Sequence, residues 1–164
     1  MDEIGTMDET DRQIVRILQQ NARTSNAEIA RRLEMAPSTI LERIAKLEER
    51  GVIRGYSALV DPEALGLGVT AFVFVRSSER GGALTTAERL AELPEIQEVH
   101  HVAGEDCFLV KVRLPSTRAL GTLLSDRMGQ IESIVSTRST IVMDTVKETP
   151  HLPIAGAAGE ESDG

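Results

Sequence analysis

Five polar side chains lie at helical spacing between residues 38 and 46, and their chemistry suits contacts with nucleic acid. They are Ser38, Thr39, Glu42, Arg43 and Lys46. Hydroxyl, carboxylate and cationic groups near the start of a helix can reach base edges and phosphates in a major groove. The sequence therefore predicts a helix that reads duplex DNA.

An apolar stripe must hold this helix in place. Ile40, Ile44 and Leu47 recur at i, i+4 and i+7, which predicts one buried face. Pro37 suits the first helical position, and Gly51 supplies a left-handed stop after the last turn. The polar groups listed above then lie on the other faces.

Two further helical patterns precede this one. Asp8 is a plausible N-cap for the first helix, whose expected buried positions are Ile14, Val15 and Leu18. Ser25 and Glu28 form the capping-box pattern S-x-x-E ahead of the second helix. Three short amphipathic helices within residues 7–56 are typical of a helix-turn-helix domain.

Residues 52–60 predict two short strands that turn near Arg54 and Gly55. The pair would form either a small wing or a strand leading into a linker. We expect Arg54 to contact phosphate, whereas Tyr56 is expected to pack at the domain junction. With this segment included, the predicted DNA-binding domain spans residues 1–60 and is winged-helix-like.

The net charge of −8 argues at first against a nucleic-acid partner, because phosphate binding needs basic groups. Most of the acidic excess lies elsewhere: residues 1–56 hold nine Lys or Arg against ten Asp or Glu, and residues 57–164 hold nine against sixteen. A modest charge predicts a modest affinity per subunit, so we expect a dimer or a larger assembly.

Composition excludes several other classes of protein. No run of eighteen apolar residues and no leader pattern is present, so we expect a cytoplasmic protein. Aromatic residues are too scarce for a platform that stacks single-stranded bases. His100 and His101 are strand neighbours that point to opposite faces, and Cys107 is alone. We therefore expect no metal, no other cofactor and no catalytic residue.

A second domain is predicted over residues 69–149, after a linker at residues 61–68. Its predicted strands are residues 69–75, 96–102, 108–114 and 134–146, and its predicted helices are residues 84–93 and one that Ser116 caps. Phe108, Val110, Val112 and Leu114 alternate with other residues, as in a strand with one buried face. The order is βαββαβ, so the fold class is α+β with a ferredoxin-like second domain.

The last predicted strand carries apolar residues on both faces. Val135, Ile141 and Met143 share one face, and Ile134, Val142 and Val146 share the other. Pairing of two sheets in a dimer would cover the open face. Residues 150–164 are rich in Pro, Gly, Ala and acids, which predicts a disordered tail.

Several strings in this order resemble the Lrp/AsnC family of bacterial and archaeal transcription regulators, over roughly residues 7–149. They are Asp8-Glu9-Thr10-Asp11-Arg12, Asn21-Ala22-Arg23, Glu28-Ile29-Ala30, Arg43-Ile44-Ala45-Lys46-Leu47-Glu48, Gly51-Val52-Ile53-Arg54-Gly55-Tyr56, Ala103-Gly104-Glu105-Asp106 and Thr137-Arg138-Ser139-Thr140-Ile141-Val142. No single string is decisive, but together they are a strong signal.

The resemblance implies dimers that commonly form tetramers, octamers or larger assemblies, and an amino-acid effector. It implies that the effector binds near the loop between the second and third strands, here Gly104-Glu105-Asp106. On that basis Glu105 and Asp106 would accept from the ammonium group. Loop amides or three hydroxyls would hold the carboxylate. The hydroxyls are those of Thr137, Ser139 and Thr140.

The chain departs from the family pattern in two places. Many members have G-x-x-D followed by an aromatic residue, whereas here Asp106 comes one place earlier and Cys107 stands where that acid would fall. Met35-Ala36 replaces a leucine and a serine before the proline, and Ala36 has no side chain that can cap the helix, at a cost of about 1 kcal/mol.

Three functions compete at this stage. The leading one is a sequence-specific DNA-binding regulator that responds to a small amino acid. Siroheme decarboxylases resemble the same family, so an enzyme acting on a tetrapyrrole is the second, although the sensor half here is acidic. An architectural DNA binder without an effector is the third.

Overall fold

The computed structural model describes residues 7–79 and 84–154, which form two compact units. The first unit holds the described residues up to Ala58 together with residues 148–154, and the second runs from Leu59 to Lys147. The chain therefore leaves the first unit, builds the second and returns to the first. No helix in the described ranges is long and apolar enough to cross a membrane.

Three helices build the first unit: α1 (Glu9–Gln20), α2 (Asn26–Arg32) and α3 (Pro37–Glu49). Each contributes its apolar stripe to one shared core, as the sequence periodicity predicts. The buried members are Ile14, Leu18, Ile29, Ala30, Ile40, Ile44 and Leu47. Val15 is only half-buried and packs at the edge of this core.

The caps of α1 and α2 follow the prediction in part. Asp8 accepts a hydrogen bond from the Asp11 amide at 2.7 Å, and Ser25 accepts one from the Glu28 amide at 3.2 Å. The return bond of a capping box is replaced, because the Glu28 carboxylate instead accepts from Arg31 and Arg32. Two guanidinium groups nearby offer the carboxylate charge-assisted bonds, which are stronger than a neutral amide bond.

The predicted hairpin over residues 52–60 is wrong, because the structure has no strand there. Gly51 adopts φ +69° after α3, and the amides of Val52 and Ile53 both donate to the Leu47 carbonyl. These bonds close the end of α3 and turn the chain where the first strand was expected. Residues 56–60 continue in exposed, non-helical conformation.

Residues 148–154 form an extended segment, which we call the strap, beside α1. Gln19 donates to the Leu152 carbonyl at 3.1 Å and accepts from the Leu152 amide at 2.7 Å, so one side-chain amide satisfies both backbone groups. Arg16 donates to the Ile154 carbonyl at 3.4 Å. Residues 150–154 are thus bound to the first unit, where the sequence predicted disorder; residues 155–164 lie outside the described residues.

A four-stranded antiparallel sheet with the order β2-β3-β1-β4 forms the second unit. Its strands are β1 (Val69–Ser77), β2 (Ile96–His101), β3 (Phe108–Leu114) and β4 (Ile134–Ile141). This strand order agrees with the predicted ferredoxin-like βαββαβ arrangement. The last strand is shorter than predicted, since its pairing with β1 ends at Ile141 opposite Ala71.

One face of the sheet is buried beneath the helices. Alternate residues of the two central strands point into this core, and the predicted alternation in β3 is confirmed. Helix α4 (Thr85–Ala91) contributes Leu90, and α5 (Thr117–Thr122) contributes Leu120. Ser116 caps α5 by accepting from the Ala119 amide at 3.2 Å. A π-helical turn and a 3-10 turn then bring Leu123 and Met128 into the same core.

Candidate functional site

Helix α3 presents two chemically different surfaces. Its buried stripe of Ile40, Ile44 and Leu47 is at most 8% exposed. Its first turn begins at Pro37 after Ala36, which makes no side-chain cap bond, as expected for alanine. The amide groups at this helix start therefore lack a side-chain acceptor, and such groups commonly bind phosphate oxygens.

Four of the predicted DNA-contacting side chains are available on α3. Ser38, Glu42 and Lys46 are exposed, and Thr39 is half-exposed. Within the described residues, these four side chains make no hydrogen bond or ion pair. They combine hydroxyl groups, one acceptor and one cation on the surface opposite the core, which is the set of groups that base edges and phosphates require.

Arg43, also predicted to contact DNA, instead binds two carboxylates of the first unit. Its guanidinium donates to Asp8 and to Asp11, both at 2.7 Å. Arg43 therefore fixes the start of α1 to the middle of α3. Asp11, a buried acid three residues after the cap, was not predicted as a functional residue. Its signal in the sequence is a carboxylate on the buried side of an amphipathic helix.

These contacts shift the ionisation of both partners. The Asp8 carboxylate accepts the Asp11 amide and the Arg43 guanidinium, and these bonds lower the pKa of Asp8 below its usual value. The same carboxylates raise the pKa of Arg43, with the Asp8 bond the larger cause. Arg43 is therefore held by two carboxylates of its own unit.

The segment after α3 carries the last predicted DNA contact. Arg54 is exposed and lies in the loop that replaces the predicted hairpin. Tyr56 donates its hydroxyl to Glu48 of α3 at 2.9 Å. Partial burial and this bond to a carboxylate raise the pKa of Tyr56 to about 12. The Tyr56 hydroxyl therefore ties this segment to α3, and Arg54 lies two residues before Tyr56.

The loop between β2 and β3 is shaped as a candidate effector site. Gly104 adopts φ +139°, a conformation that side chains other than glycine rarely accept. Glu105 is exposed and makes no bond to another described residue. Asp106 accepts from Arg138 of β4 at 3.0 Å. The Arg138 guanidinium also lies 4.1 Å from the centre of the Phe74 ring.

Arg138 was not among the predicted effector contacts and was noted in the sequence only within a family string. It brings a cation between an acid and an aromatic ring, where it can bind a carboxylate or a ring face. The pairing register of β1 and β4 could have indicated Arg138. Arg138 pairs with Phe74 across β1 and β4, so the two side chains share one face of the sheet.

The three predicted hydroxyls of β4 do not converge. Thr137 pairs with Val75 and Ser139 with Val73, so both point toward the face that carries the helices. Thr140 pairs with Phe72 and shares the opposite face with Arg138. Side chains alternate along a strand, so only one of the two sets can reach a single small ligand. Thr140 is the hydroxyl on the face of Arg138.

Cys107 and the two neighbouring histidines of the second unit each contact another side chain or backbone group. The Cys107 thiol is half-buried and accepts from the Ser77 amide at 3.4 Å. His100 binds Glu98 at 3.1 Å, while the His101 ring packs 5.4 Å from that of Phe108. In the part of the chain that the structure describes, no three His, Cys, Asp or Glu side chains are grouped to hold a metal ion.

Comparison with known proteins relates both units to one family. A family model described as winged helix-turn-helix DNA-binding matches residues 7–54, and one described as the Lrp/AsnC ligand binding domain matches residues 70–152. The chain belongs to the Lrp/AsnC family. These matches and the solved structure of E. coli AsnC confirm the predicted fold class, which is a helix-turn-helix domain followed by a ferredoxin-like domain.

Relatives over nearly the whole chain have the names of transcriptional regulators. The HTH-type transcriptional regulator FL11 of Pyrococcus horikoshii is 40% identical over 148 residues, which cover 90% of this chain and 97% of FL11. The leucine-responsive regulatory protein of Escherichia coli K12 is 36% identical over 152 residues, covering 90% and 92%. These names support the regulator hypothesis and lend no support to a tetrapyrrole enzyme.

Solved structures of related regulators also superpose on most of the chain. AsnC of E. coli has a TM-score of 0.84 at 30% identity and covers 91% of this chain and 100% of its own. A feast or famine regulatory protein from M. tuberculosis, complexed with L-methionine, also has a TM-score of 0.84, at 34% identity, covering 92% and 100%. This Lrp/AsnC protein is thus a helix-turn-helix transcriptional regulator with a ligand-binding type of second domain.

Proposed function

We propose that this Lrp/AsnC regulator reads duplex DNA through α3 and changes its DNA affinity or its assembly when an amino acid binds the second unit. One observation carries the first part of the proposal. Four polar side chains of α3 have no partner within the described residues, while the core and Arg43 fix the helix beneath them. A rigid helix with free donors and acceptors suits recognition of base edges.

Each side chain has a distinct expected role. Ser38 and Thr39 lie in the first turn, where hydroxyls and helix amides bind phosphate oxygens. Glu42 accepts from the amino group of a base in the major groove. Lys46 and Arg54 are exposed cations that neutralise phosphates on either side of the groove. Arg43 is left out of this set because Asp8 and Asp11 already bind it.

Fluorescence anisotropy with a duplex selected from random sequence, and a scrambled duplex as control, tests this interface. Lys46→Ala should weaken binding to both duplexes and lower the slope of log affinity against log salt by about 1, as expected for one phosphate contact. Arg89→Ala removes an exposed cation from α4 and is the matched control. Equal behaviour of the two variants would remove Lys46 from the interface.

A dimer or larger assembly completes the proposal. The net charge of −8 keeps the electrostatic contribution of one subunit small, so two reading helices per site are needed. Beyond β4, Met143 is 93% exposed and Val146 is 96% exposed, and a second copy would cover these apolar side chains. A two-fold dimer binds half-sites about 34 Å apart, or a multiple of that spacing.

The effector site of the proposal is the Gly104 loop together with the face of β4 that carries Arg138 and Thr140. Glu105 and Asp106 would accept from the ligand's ammonium group, and Arg138 would bind its carboxylate. The structures of relatives solved with L-methionine support an amino acid as the ligand. The predicted contacts of Thr137 and Ser139 are not included, because they point to the other face.

Calorimetric titration with single amino acids tests the effector site. Arg138→Gln should abolish binding of the amino acid that the wild-type chain binds, because it removes the cation and leaves a shorter, neutral polar side chain. Arg118→Gln removes an exposed cation from α5 and serves as control. Unchanged binding in Arg138→Gln would exclude this face. The proposal assigns the protein to the cytoplasm and gives it no catalytic step.

A further inference from the structure

Leu41 is an apolar side chain on the exposed surface of the reading helix. It is 57% exposed, whereas the other large apolar residues of α3 are buried. An exposed leucine is ordinary on a protein surface and says nothing by itself. Its neighbours make this one informative, since Ser38 and Ala45 lie one turn away on either side and Glu42 follows directly, and all three are exposed.

The direction of Leu41 follows from that of Arg43. Two residues on a helix differ by about 200° around the axis, so the two side chains point to nearly opposite flanks. Arg43 points toward α1, where Asp8 and Asp11 bind it. Leu41 therefore points away from α1, beside the polar surface that the proposed function directs into the major groove. Ala45 is small and leaves the space beside Leu41 open.

Only one apolar feature is available to Leu41 in a major groove, namely the C5-methyl group of thymine. We infer that Leu41 is a specificity-determining residue that packs against a thymine methyl, next to the base whose amino group bonds to Glu42. That amino group belongs to cytosine or adenine. The inference rests on the proposed role of α3 and adds which base the helix selects.

Uracil substitution tests this contact, because deoxyuridine lacks only the C5-methyl of thymidine. Duplexes that bind the full chain are first selected from random sequence, and each thymine of the selected duplex is then replaced singly by uracil. Affinity of the wild-type chain should fall about fourfold at one thymine in each half-site, which corresponds to one methyl group returned to water. Other thymines should have no comparable effect.

The matching variant is Leu41→Ala, which removes an exposed side chain and keeps a good helix former. It should bind the thymine duplex about fourfold more weakly than wild type, and the uracil duplex no more weakly than the thymine duplex. Leu65→Ala removes a similarly exposed leucine (63%) from the second unit and should reproduce the wild-type uracil profile. Thermal unfolding verifies that both variants are folded.

Four results would overturn the inference. A wild-type chain indifferent to every uracil has no thymine-methyl contact, and a Leu41→Ala variant with the full wild-type uracil profile assigns that contact to another residue. Failure of the chain to select any duplex would reject the proposed function itself, together with this inference. If Leu41→Ala changed oligomer size and left the uracil profile intact, Leu41 would belong to an interface between copies.

Discussion

Arg43 joins the start of α1 to the middle of α3, so its removal leaves two carboxylates without their cation. Asp11 is buried and Asp8 is half-exposed, which places the pair between a buried and a surface salt bridge. We expect Arg43→Ala to lower the free energy of unfolding by about 1–2 kcal/mol, after allowance for solvent screening. Urea denaturation followed by circular dichroism measures this change.

Lys46→Ala is the control for Arg43→Ala, because Lys46 lies on the same helix without a partner among the described residues. Its stability should stay within about 0.5 kcal/mol of wild type. One other outcome would contradict the structural role that we assign to Arg43. If both variants were equally stable and both lost affinity for DNA, Arg43 would act at the interface after all.

Glu28 makes the stability of the first unit depend on pH in the acidic range. Hydrogen bonds from Arg31 and then Arg32 lower its pKa from 4.5 to about 2. A carboxylate with a lowered folded-state pKa stabilises the fold above its unfolded value, and this contribution is lost as the pH falls from 4.5 to 2. The midpoint of thermal unfolding of Glu28→Gln should therefore approach that of wild type over this window.

Salt provides the control for the Glu28 prediction. The ion pairs lie at the surface, so 1 M salt should shrink the difference between Glu28→Gln and wild type at neutral pH. A difference that stayed constant from pH 6 to pH 2 would mean that Glu28 stabilises α2 through packing rather than charge.

At the scale of single residues, the sequence predicted interactions between residues that lie close together along the chain. The caps at Asp8 and Ser25 were predictable, because cap and amide lie three residues apart. The two intramolecular partners of Arg43 were not predictable, because they lie 35 and 32 residues away, at the start of α1. A basic side chain at the edge of a reading helix looks the same in sequence whether it contacts phosphate or a neighbouring helix.

Helices α2 and α3 are both followed by a residue with left-handed backbone, but only the residue after α3 is a glycine. Glu34 follows α2 with φ +53°, whereas Gly51 follows α3 with φ +69°. Left-handed backbone costs a residue with a side chain about 1 kcal/mol more than glycine. Glu34→Gly should therefore raise the free energy of unfolding by about that amount, and Gly51→Ala should lower it similarly, both measured by urea denaturation.

The two substitutions control one another, because they make opposite changes at equivalent positions. No atom lies within 4 Å of a Cβ added at Gly51, so a loss of stability there reports backbone strain rather than a clash. If Glu34→Gly destabilised the domain, the turn between α2 and α3 would depend on the Glu34 side chain.

The strap depends on one side chain of α1. Gln19 bonds to both the amide and the carbonyl of Leu152. Gln19→Leu removes both bonds and keeps a good helix former, so hydrogen exchange at the Leu152 amide should accelerate about fivefold, as expected for loss of about 1 kcal/mol. Gln20→Leu, at an exposed neighbouring position, is the control. Unaltered exchange would show that other contacts hold the strap.

Whole elements were predicted with uneven success. The strands with one buried face were recognised, because alternation from Phe108 to Leu114 is imposed by the core. The hairpin over residues 52–60 was not formed, because Val52 and Ile53 bond back to the end of α3. Residues 150–154 of the strap were predicted to be disordered, because their Pro-rich composition does not reveal that a distant glutamine binds their backbone.

Assembly is the expectation that belongs to the whole molecule. Met143 and Val146 are almost fully exposed, so replacing both with Glu should leave each subunit folded. The double variant should shift the mass measured by light scattering toward the monomer, because a charge would have to be buried at the interface. Thr117→Glu adds a carboxylate at the exposed start of α5 and should keep the wild-type mass.

A wild-type chain that is already monomeric would contradict that expectation, and the apolar residues beyond β4 would then need another partner. An unchanged mass in the double variant would move the interface elsewhere on the second unit.

The path of the chain makes the second unit an insertion rather than an appendage. It enters that unit at Leu59, leaves it at Lys147 and returns to the first unit over residues 148–154. To exchange effector specificity between family members, the whole second unit must therefore be replaced, with one junction near residue 58 and another near residue 148. A chimaera cut once, near residue 58, would carry a foreign strap beside Gln19, whereas one cut at both junctions would keep the native strap beside its own helix.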